Sequence, residues 1–333
     1  MDLLKDKWIP VRPLAGGIPD WISLPELLTR KEEYQLSLPR DDMELATLQL
    51  LISIVQVGWM PDDLQGLIRY GATPMTLETY VDGVEPIKDW FQMEHAEHPF
   101  MQVRGVKAKD VTPMDKLLAG LTGATNSCFV NEAGMANRLC GGCAAIALFN
   151  QASNAPSFGG GFKAGLRGES PITTLVQGGH LRQTLWLNIL ATDQLPEFMV
   201  ASRYQAPTWV VPIQEKAIIT WASIGLARGL LWQPAHIELE SAQTRGQCSC
   251  CGREQVALYQ GFLKAKFNYT VEGRWPHPHS PRLRIFKTAG TEEKFAAFTT
   301  SAPTWTRLTG FVVQQEADKE NKEGYEPAAV VLQ

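Results

Sequence analysis

The sequence predicts an α+β protein, a large irregular mixed domain of helices and short sheets held by a structural metal site. Three observations carry this. Leu45, Leu48, Leu51, Ile52 and Val55 recur at helical spacing and mark one long scaffold helix. Short β-branched or alternating segments, bounded by glycine and proline, recur through the remainder of the chain. Finally, two short cysteine pairs lie far apart, Cys140-Gly-Gly-Cys143 and Cys248-Ser-Cys250-Cys251.

A C-x-x-C pair sets two thiolates on one tight turn at the bite a tetrahedral ion needs, so two pairs complete a four-sulfur shell. Cys140, Cys143, Cys248 and Cys251 are therefore the expected ligands of a structural Zn2+. Such an ion ties the middle of the chain to its later third. Cys250 competes with Cys251 for the fourth place, Cys128 is left over, and a set of buried reduced thiols is the alternative.

With 333 residues the chain exceeds one usual core, so two domains or one large irregular one are expected. A hydrophobic content of 44% and a charged content of 20% are those of a globular protein and exclude a mostly disordered chain. The net charge of −4 excludes a nucleic-acid binder that relies on overall basicity; contact with DNA or RNA requires local patches or a larger assembly. Charges in Met1–Asp6 fit no signal peptide, and no stretch reaches the roughly 18 apolar residues of a membrane span. A cytoplasmic, reducing location follows, and it favours metal over disulfides.

In chain order, Trp8–Val11 reads as a strand and Gly16-Gly17 as the turn after it. Ser23 to Leu28 reads as a helix with Ser23 and Glu26 as a capping box. The scaffold helix follows, with Asp41 as cap, Glu44 reaching back and Gly58 as its end. Residues 76–81 and 87–93 are expected to be helical, with Trp90 and Phe91 inward. Ala144 to Phe149 is a helix or a buried strand. Ile172 to Val176 and Leu185 to Leu190 are expected strands, and 194–207 an irregular loop. Ile237-Glu238-Leu239 and Ala257-Leu258-Tyr259 are strands flanking the second cysteine turn. Lys264 to Val271 alternates as one strand with a wet face. Trp275-Pro-His-Pro-His-Ser-Pro281 is a rigid turn, 316–323 a solvated loop, and Ala328 to Leu332 a final strand.

Two stretches carry candidate chemistry. His95-Ala-Glu97-His98, followed later by Cys140 and Cys143, imitates the H-x-E and C-x-x-C order of zinc deaminases. Leu139 stands where that motif has proline, and a second cysteine pair is available to fill the shell. Ser157-Phe-Gly-Gly-Gly-Phe-Lys-Ala-Gly-Leu-Arg-Gly168 concentrates glycines with Lys163 and Arg167. Glycine lets a backbone approach a surface closely and offer N–H groups, and the two cations are candidates for phosphate. The stretch matches neither a Walker loop nor a dinucleotide fingerprint. Lys264, Lys266 and Arg274 cluster in sequence around Phe267 and Tyr269, either as solvated lysines or as a basic finger beside the glycine loop.

Leu36-Ser-Leu-Pro-Arg-Asp-Asp-Met-Glu44, His95-Ala-Glu-His-Pro-Phe-Met-Gln102, Cys140-Gly-Gly-Cys143 with Ala147-Leu-Phe-Asn-Gln151, and Trp275–Pro281 together are long, idiosyncratic words. The chain that contains them resembles the CasA family, large subunits of the type I-E CRISPR surveillance complex Cascade, along nearly its whole length. The resemblance implies a non-enzymatic subunit beside the guide-RNA 5′ handle and the other Cascade subunits. It reads a protospacer-adjacent motif in target double-stranded DNA, helps to start unwinding, and docks a helicase-nuclease.

Residue by residue, the resemblance places Ser157, Phe158, Gly159 and Gly160 in the minor groove of the motif duplex and makes Lys266 a lysine finger. It assigns Phe129, Val130 and Asn131 to a loop that engages DNA and the complex and orders on assembly. The loop starts with Ser157 where relatives have glycine, which bears on motif preference. The family continues into a wedge hairpin and a C-terminal four-helix bundle. Residues 1–333 are therefore expected to be the N-terminal large domain, binding motif duplex weakly alone and not opening it. A purely architectural subunit is the remaining reading.

Overall fold

The computed structural model describes residues 1–118, 136–242, 244–254, 256–288, 290–297 and 308–333. Cys128 and the Phe129-Val130-Asn131 segment lie outside the described residues.

The amino-terminal part builds outward from a small antiparallel sheet in which β1 (Ile9–Pro13) lies between β2 (Asp20–Ile22) and β3 (Tyr34–Leu36). Gly16 and Gly17, at φ +94° and +139°, turn the chain between the first two strands. The predicted capping box opens α1 (Leu24–Thr29): Ser23 Oγ accepts from the Glu26 N–H at 3.4 Å, and the Glu26 carboxylate accepts from the Ser23 N–H at 2.8 Å.

The scaffold helix is α2 (Asp41–Trp59), whose Leu50, Leu51, Ile52, Ile54, Val55 and Val57 are fully buried. Its start and end differ from the expectation. Arg40 holds the cap position, and Glu44 reaches past the helix to the Leu38 N–H at 3.0 Å. Leu45 points to solvent. Gly58 lies inside the helix because α4 (Leu77–Val84) packs there, and a Cβ at Gly58 would sit 3.3 Å from the Gly83 carbonyl. Between them runs α3 (Leu64–Ala72), capped by Asp63 as α4 is by Thr76. Ile87 closes a 3-10 segment, Glu85–Ile87, and residues 88–93 are turns and bends with a bridge from Gln92 to Asp2, which still deliver Trp90 and Phe91 inward.

Further along, β4 (Thr112–Pro113) and β5 (Leu139–Cys140) precede α5 (Gly141–Ser153), a helix buried from Gly142 to Ala152 that packs on α2. The strands expected over 172–176 and 185–190 do not form. The first is extended without a regular ladder, because its backbone groups go to separate partners: the Ile172 and Thr174 N–H groups donate to the Ala296 and His279 carbonyls, both at 2.9 Å, and the Asn188 side chain takes both Val176 groups, its Oδ1 accepting from the N–H at 2.8 Å and its Nδ2 donating to the carbonyl at 2.7 Å. The second is consumed by α6 (Leu181–Trp186), capped by His180, and the turn that follows it. Within the expected loop over 194–207 lies a short helix, α7 (Glu197–Ala201).

The carboxy-terminal half supplies most strands. β6 (Ala217–Thr220), α8 (Leu226–Leu230), β7 (His236–Leu239), β8 (Thr244–Gly246), β9 (Val256–Tyr259), β10 (Gly261–Ala265) and β11 (Tyr269–Glu272) follow one another. They assort into sheets β4-β10-β7, β5-β9-β8 and a parallel β11-β6 pair. Lys264 to Val271 is thus two strands in two sheets, with Lys266 in the break. Phe267 causes the break by leaving the alternation to stack on His236 at 4.1 Å between ring centroids. Last come β12 (Arg282–Lys287), flanked by β13 (Gly290–Phe295) and β14 (Glu323–Glu326), then α9 (Leu308–Val312) and α10 (Ala329–Leu332). The expected final strand is therefore a helical turn. One buried cluster runs from Leu3 to Val330. No helix among the described residues is long and apolar enough to cross a membrane.

Candidate metal centre and nucleic-acid interface

Cys140 is the last residue of β5 and caps α5, and Cys143 stands in the first turn of that helix, where the macrodipole favours thiolate. The other pair sits on the β8–β9 turn. Its knuckle is closed by the Cys248 N–H on the Arg253 carbonyl at 2.8 Å and the Gly252 N–H on the Cys248 carbonyl at 3.0 Å, with Gly252 at φ +74°. Pairing of Leu139 with Tyr259 and Cys140 with Leu258 brings the turn against the helix start. Two further bonds lock it there: the Ser249 N–H reaches the Arg138 carbonyl at 2.8 Å, and the Cys140 N–H points at Cys248 Sγ at 3.3 Å.

The four sulfurs of Cys140, Cys143, Cys248 and Cys251 all lie within 4.8 Å of one another, and Cys140 Sγ is 3.7 Å from Cys251 Sγ. A tetrahedral ion with sulfur at about 2.3 Å requires sulfurs about 3.8 Å apart, so the donor set fits a four-thiolate ion. Without one, the thiols compete for charge. Hydrogen bonds from Cys140, Cys143 and Cys251 hold the Cys248 thiol far below its ordinary range, while Cys143, bonded to Cys140 and Cys248 and buried, is pushed up. Cys250 is also buried and touches Cys143, but the four-sulfur group takes in Cys251 and not Cys250.

The deaminase arrangement does not assemble. His95 stacks on His98 at 3.8 Å between centroids, and its Nδ1 accepts the Glu97 and His98 N–H groups. Among the described residues only the four cysteines form a candidate metal group, and neither His95 nor the pair His277 and His279 joins it. The rigid turn expected at 275–281 is found: Trp275 Nε1 donates to the Ile224 carbonyl at 2.9 Å, and His279 Nε2 bonds the Asn188 carbonyl at 2.9 Å.

After α5 the glycine stretch forms an exposed tip. Gly159, Gly160 and Gly161 take φ of +71°, +57° and +88°, a run that side chains do not favour, and nothing lies within 4 Å of a Cβ at Gly159 or Gly160. At the base of the tip Ser157 Oγ donates to Glu169 Oε1 at 2.8 Å and accepts from the Gly159 N–H at 3.4 Å. The hydroxyl thus adds a brace that glycine lacks. Phe158 and Phe162 pack edge to face at 5.4 Å, and Lys264 Nζ lies 4.8 Å from both rings. Burial and the nearby Lys116 draw the Lys264 pKa down.

Lys266 meets this tip from the β10–β11 break. Its Nζ donates to the Gly160 carbonyl at 3.0 Å and lies 3.5 Å from a Cβ position at Gly161. Residues more than a hundred positions apart therefore form one protrusion, a thin backbone with an ammonium at its side. Arg167 is not available for phosphate as expected. It is buried, with bonds to Thr173 Oγ1 at 2.7 Å, Ser280 Oγ at 2.9 Å, the Ser153 carbonyl at 2.9 Å and Asn154 Oδ1 at 2.7 Å, and burial lowers its pKa to about 9.

Comparison with known proteins identifies the family. The family model for CRISPR-associated protein Cse1 matches residues 2–333. The chain belongs to the Cse1 family. A CRISPR-associated protein CasA/Cse1 of Thermus thermophilus is 26% identical over 255 residues, 72% of this chain and 48% of the relative. The crystal structure of Cse1 from Acidimicrobium ferrooxidans superposes with a TM-score of 0.69 at 19% identity, over 99% of this chain and 62% of that one. A chain of a CRISPR RNA-guided surveillance complex superposes with a TM-score of 0.64 at 14% identity, over 99% of this chain and 67% of that one. This Cse1 chain spans about half the length of the curated relative it matches. Two supports were not legible in the sequence, the Arg138–Ser249 clasp beside the cysteines and the role of Asn188, because neither stands in a motif.

Proposed function

We propose that this chain is a non-catalytic, DNA-reading part of an RNA-guided surveillance complex, working in the cytoplasm with the guide RNA 5′ handle and other Cascade subunits. In this reading it recognises a protospacer-adjacent motif in duplex DNA through the minor groove, promotes unwinding and docks a helicase-nuclease. Family membership supports the assembly. The contact between Lys266 Nζ and the Gly160 carbonyl at 3.0 Å carries the recognition.

A strand of glycines is thin enough for a minor groove about 6 Å wide, and an ammonium donates to the acceptors that A·T and G·C pairs share there. One Nζ–H pins the tip and two remain for bases, so motif choice is tolerant. Phe129, Val130 and Asn131 are assigned to a loop that orders against DNA and neighbouring subunits. The four cysteines hold Zn2+ as a structural ion, since four sulfurs leave no position open for water.

The test is reconstitution with guide RNA and partner subunits, assayed against a library of motif duplexes. Lys266→Ala is expected to lower the preference for motif-bearing over motif-free duplex about tenfold. Equal loss on both would make Lys266 a generic phosphate contact and end the reading.

A further inference from the structure

Beside the glycine tip lies a cleft of about 310 Å3 with Lys163 and Arg274 on its walls and Tyr269, Trp232 and Trp275 below. Lys163 directly follows the tip at Phe162, and its Nζ lies 6.0 Å from the Tyr269 ring centroid. Arg274 follows β11 and is exposed. No residue lining the cleft is acidic. Neither cation forms an ion pair among the described residues; Arg274 lies close enough to Glu292, itself paired with Lys287, to help lower that carboxyl's pKa. Other arginines are engaged elsewhere: Arg167 is buried, Arg228 donates to the Ala206 and Val211 carbonyls, and Arg282 pairs with Glu293.

Both walls are rigid. The segment that carries Lys163 is held by Arg167, whose four bonds fasten it to α5 and to the 275–281 turn. Gly273, at φ +83°, brings the backbone so close to Trp221 that a Cβ would lie 1.9 Å from its ring, so this turn fixes where Arg274 leaves the sheet.

We propose that Lys163 and Arg274 form a phosphate clamp that holds the DNA backbone as it leaves the glycine tip. The inference rests on the minor-groove reading for the identity of its partner, a duplex phosphodiester. Two cations on fixed walls, in a cleft whose lining holds no carboxylate, match that chemistry, and they position the duplex without reading its sequence. The aromatic residues are buried, so the cleft offers a stacking face to no base.

The experiment measures duplex affinity of the reconstituted complex against salt, for Lys163→Ala with Arg274→Ala, for Lys163→Arg with Arg274→Lys, and for Lys266→Ala. Loss of two phosphate contacts reduces the slope of log K against log salt by about 1.8, which is about 30-fold in affinity at 0.15 M salt, converging near 1 M. The double alanine variant is expected to show this equally on motif-bearing and motif-free duplex, and the charge-retaining variant to keep the parent slope. An unchanged slope, a loss confined to motif-bearing duplex, or a slope change seen only in guide-RNA binding overturns the clamp. Lys266→Ala reads the other proposal separately: if it leaves motif preference intact while the double alanine variant lowers the slope, groove reading fails and the clamp stands.

Discussion

Removing the metal should loosen the fold by an amount the chain itself sets. Cys140 and Cys248 are 108 positions apart, so an ion joining them closes a loop of that length. Treated as a cross-link, closing it removes about 4.8 kcal/mol of unfolded-state entropy at 25 °C. Unfolding entropy for a chain of 333 residues is about 0.7 kcal/mol per kelvin, so the metal-free protein should melt about 7 °C lower. The assay is a thermal melt of protein carrying one equivalent of zinc, with and without chelator, alongside Cys248→Ser and Cys250→Ser. Cys248→Ser should melt like the chelated parent and bind no stoichiometric metal. Cys250→Ser should keep one equivalent and its response to chelator, because Cys250 lies outside the four-sulfur group. A chelator shift below about 1 °C, or equal metal loss in the two variants, would reduce the cluster to packed thiols.

Gly160, at φ +57° with open space around its Cβ position, should bind motif duplex at least about fivefold more weakly as Gly160→Ala, because a Cβ thickens the tip where it enters the groove and a left-handed residue adds a cost of about 1–2 kcal/mol. Gly160→Asn tolerates that φ but adds bulk, so it should lose at least as much; recovery by Asn in a binding titration would refute the thin-backbone argument. Burial lowers the His279 pKa from 6.5 to about 4, so the folded protein keeps it neutral. Its contribution is complete above pH 6.5 and lost as pH falls toward 4, about 2 kcal/mol of it by pH 5. Urea unfolding of His279→Gln should lack that part of the acid loss, and an identical loss in the variant would contradict the assignment. Gly229→Ala would place a Cβ 2.2 Å from buried Trp275, so a cost of about 1–3 kcal/mol is expected as a lower melting temperature, and an unchanged melt would show that the ring can shift freely.

What could be read in the sequence were features whose cause is local. The capping box at Ser23 and Glu26 and the cysteine pairs depend on residues a few positions apart, and they lie where spacing put them. Errors arose where a distant partner decides. Residues 172–176 have strand composition, yet their backbone groups find scattered partners, the Ala296 and His279 carbonyls and the Asn188 side chain, which no periodicity reveals. Lys264 to Val271 alternates correctly, but Phe267 finds its stacking partner in His236 and divides the strand. That same break frees Lys266 from the sheet. Arg167 looked like a phosphate ligand because glycine surrounds it in sequence, while its acceptors come from α5 and the 275–281 turn.

The four-sulfur group and the glycine tip are joined through α5. The sulfur cluster sits at its first turn through Cys140 and Cys143, and its last turn offers the Ser153 carbonyl to Arg167. Thirteen helical residues span about 20 Å, and this helix is buried along nearly all of them, so displacement at one end is resisted by core packing before it reaches the other. Arg167 then converts the position of the helix end into the position of the glycine stretch, since its remaining bonds reach Thr173 and Ser280 on the opposite side. Lys266 closes the circuit, because β10, on which its loop depends, follows β9 and hence the cysteine knuckle. An ion at the four sulfurs therefore fixes both halves of the protrusion, the helix side that carries the glycines and the sheet side that carries the ammonium.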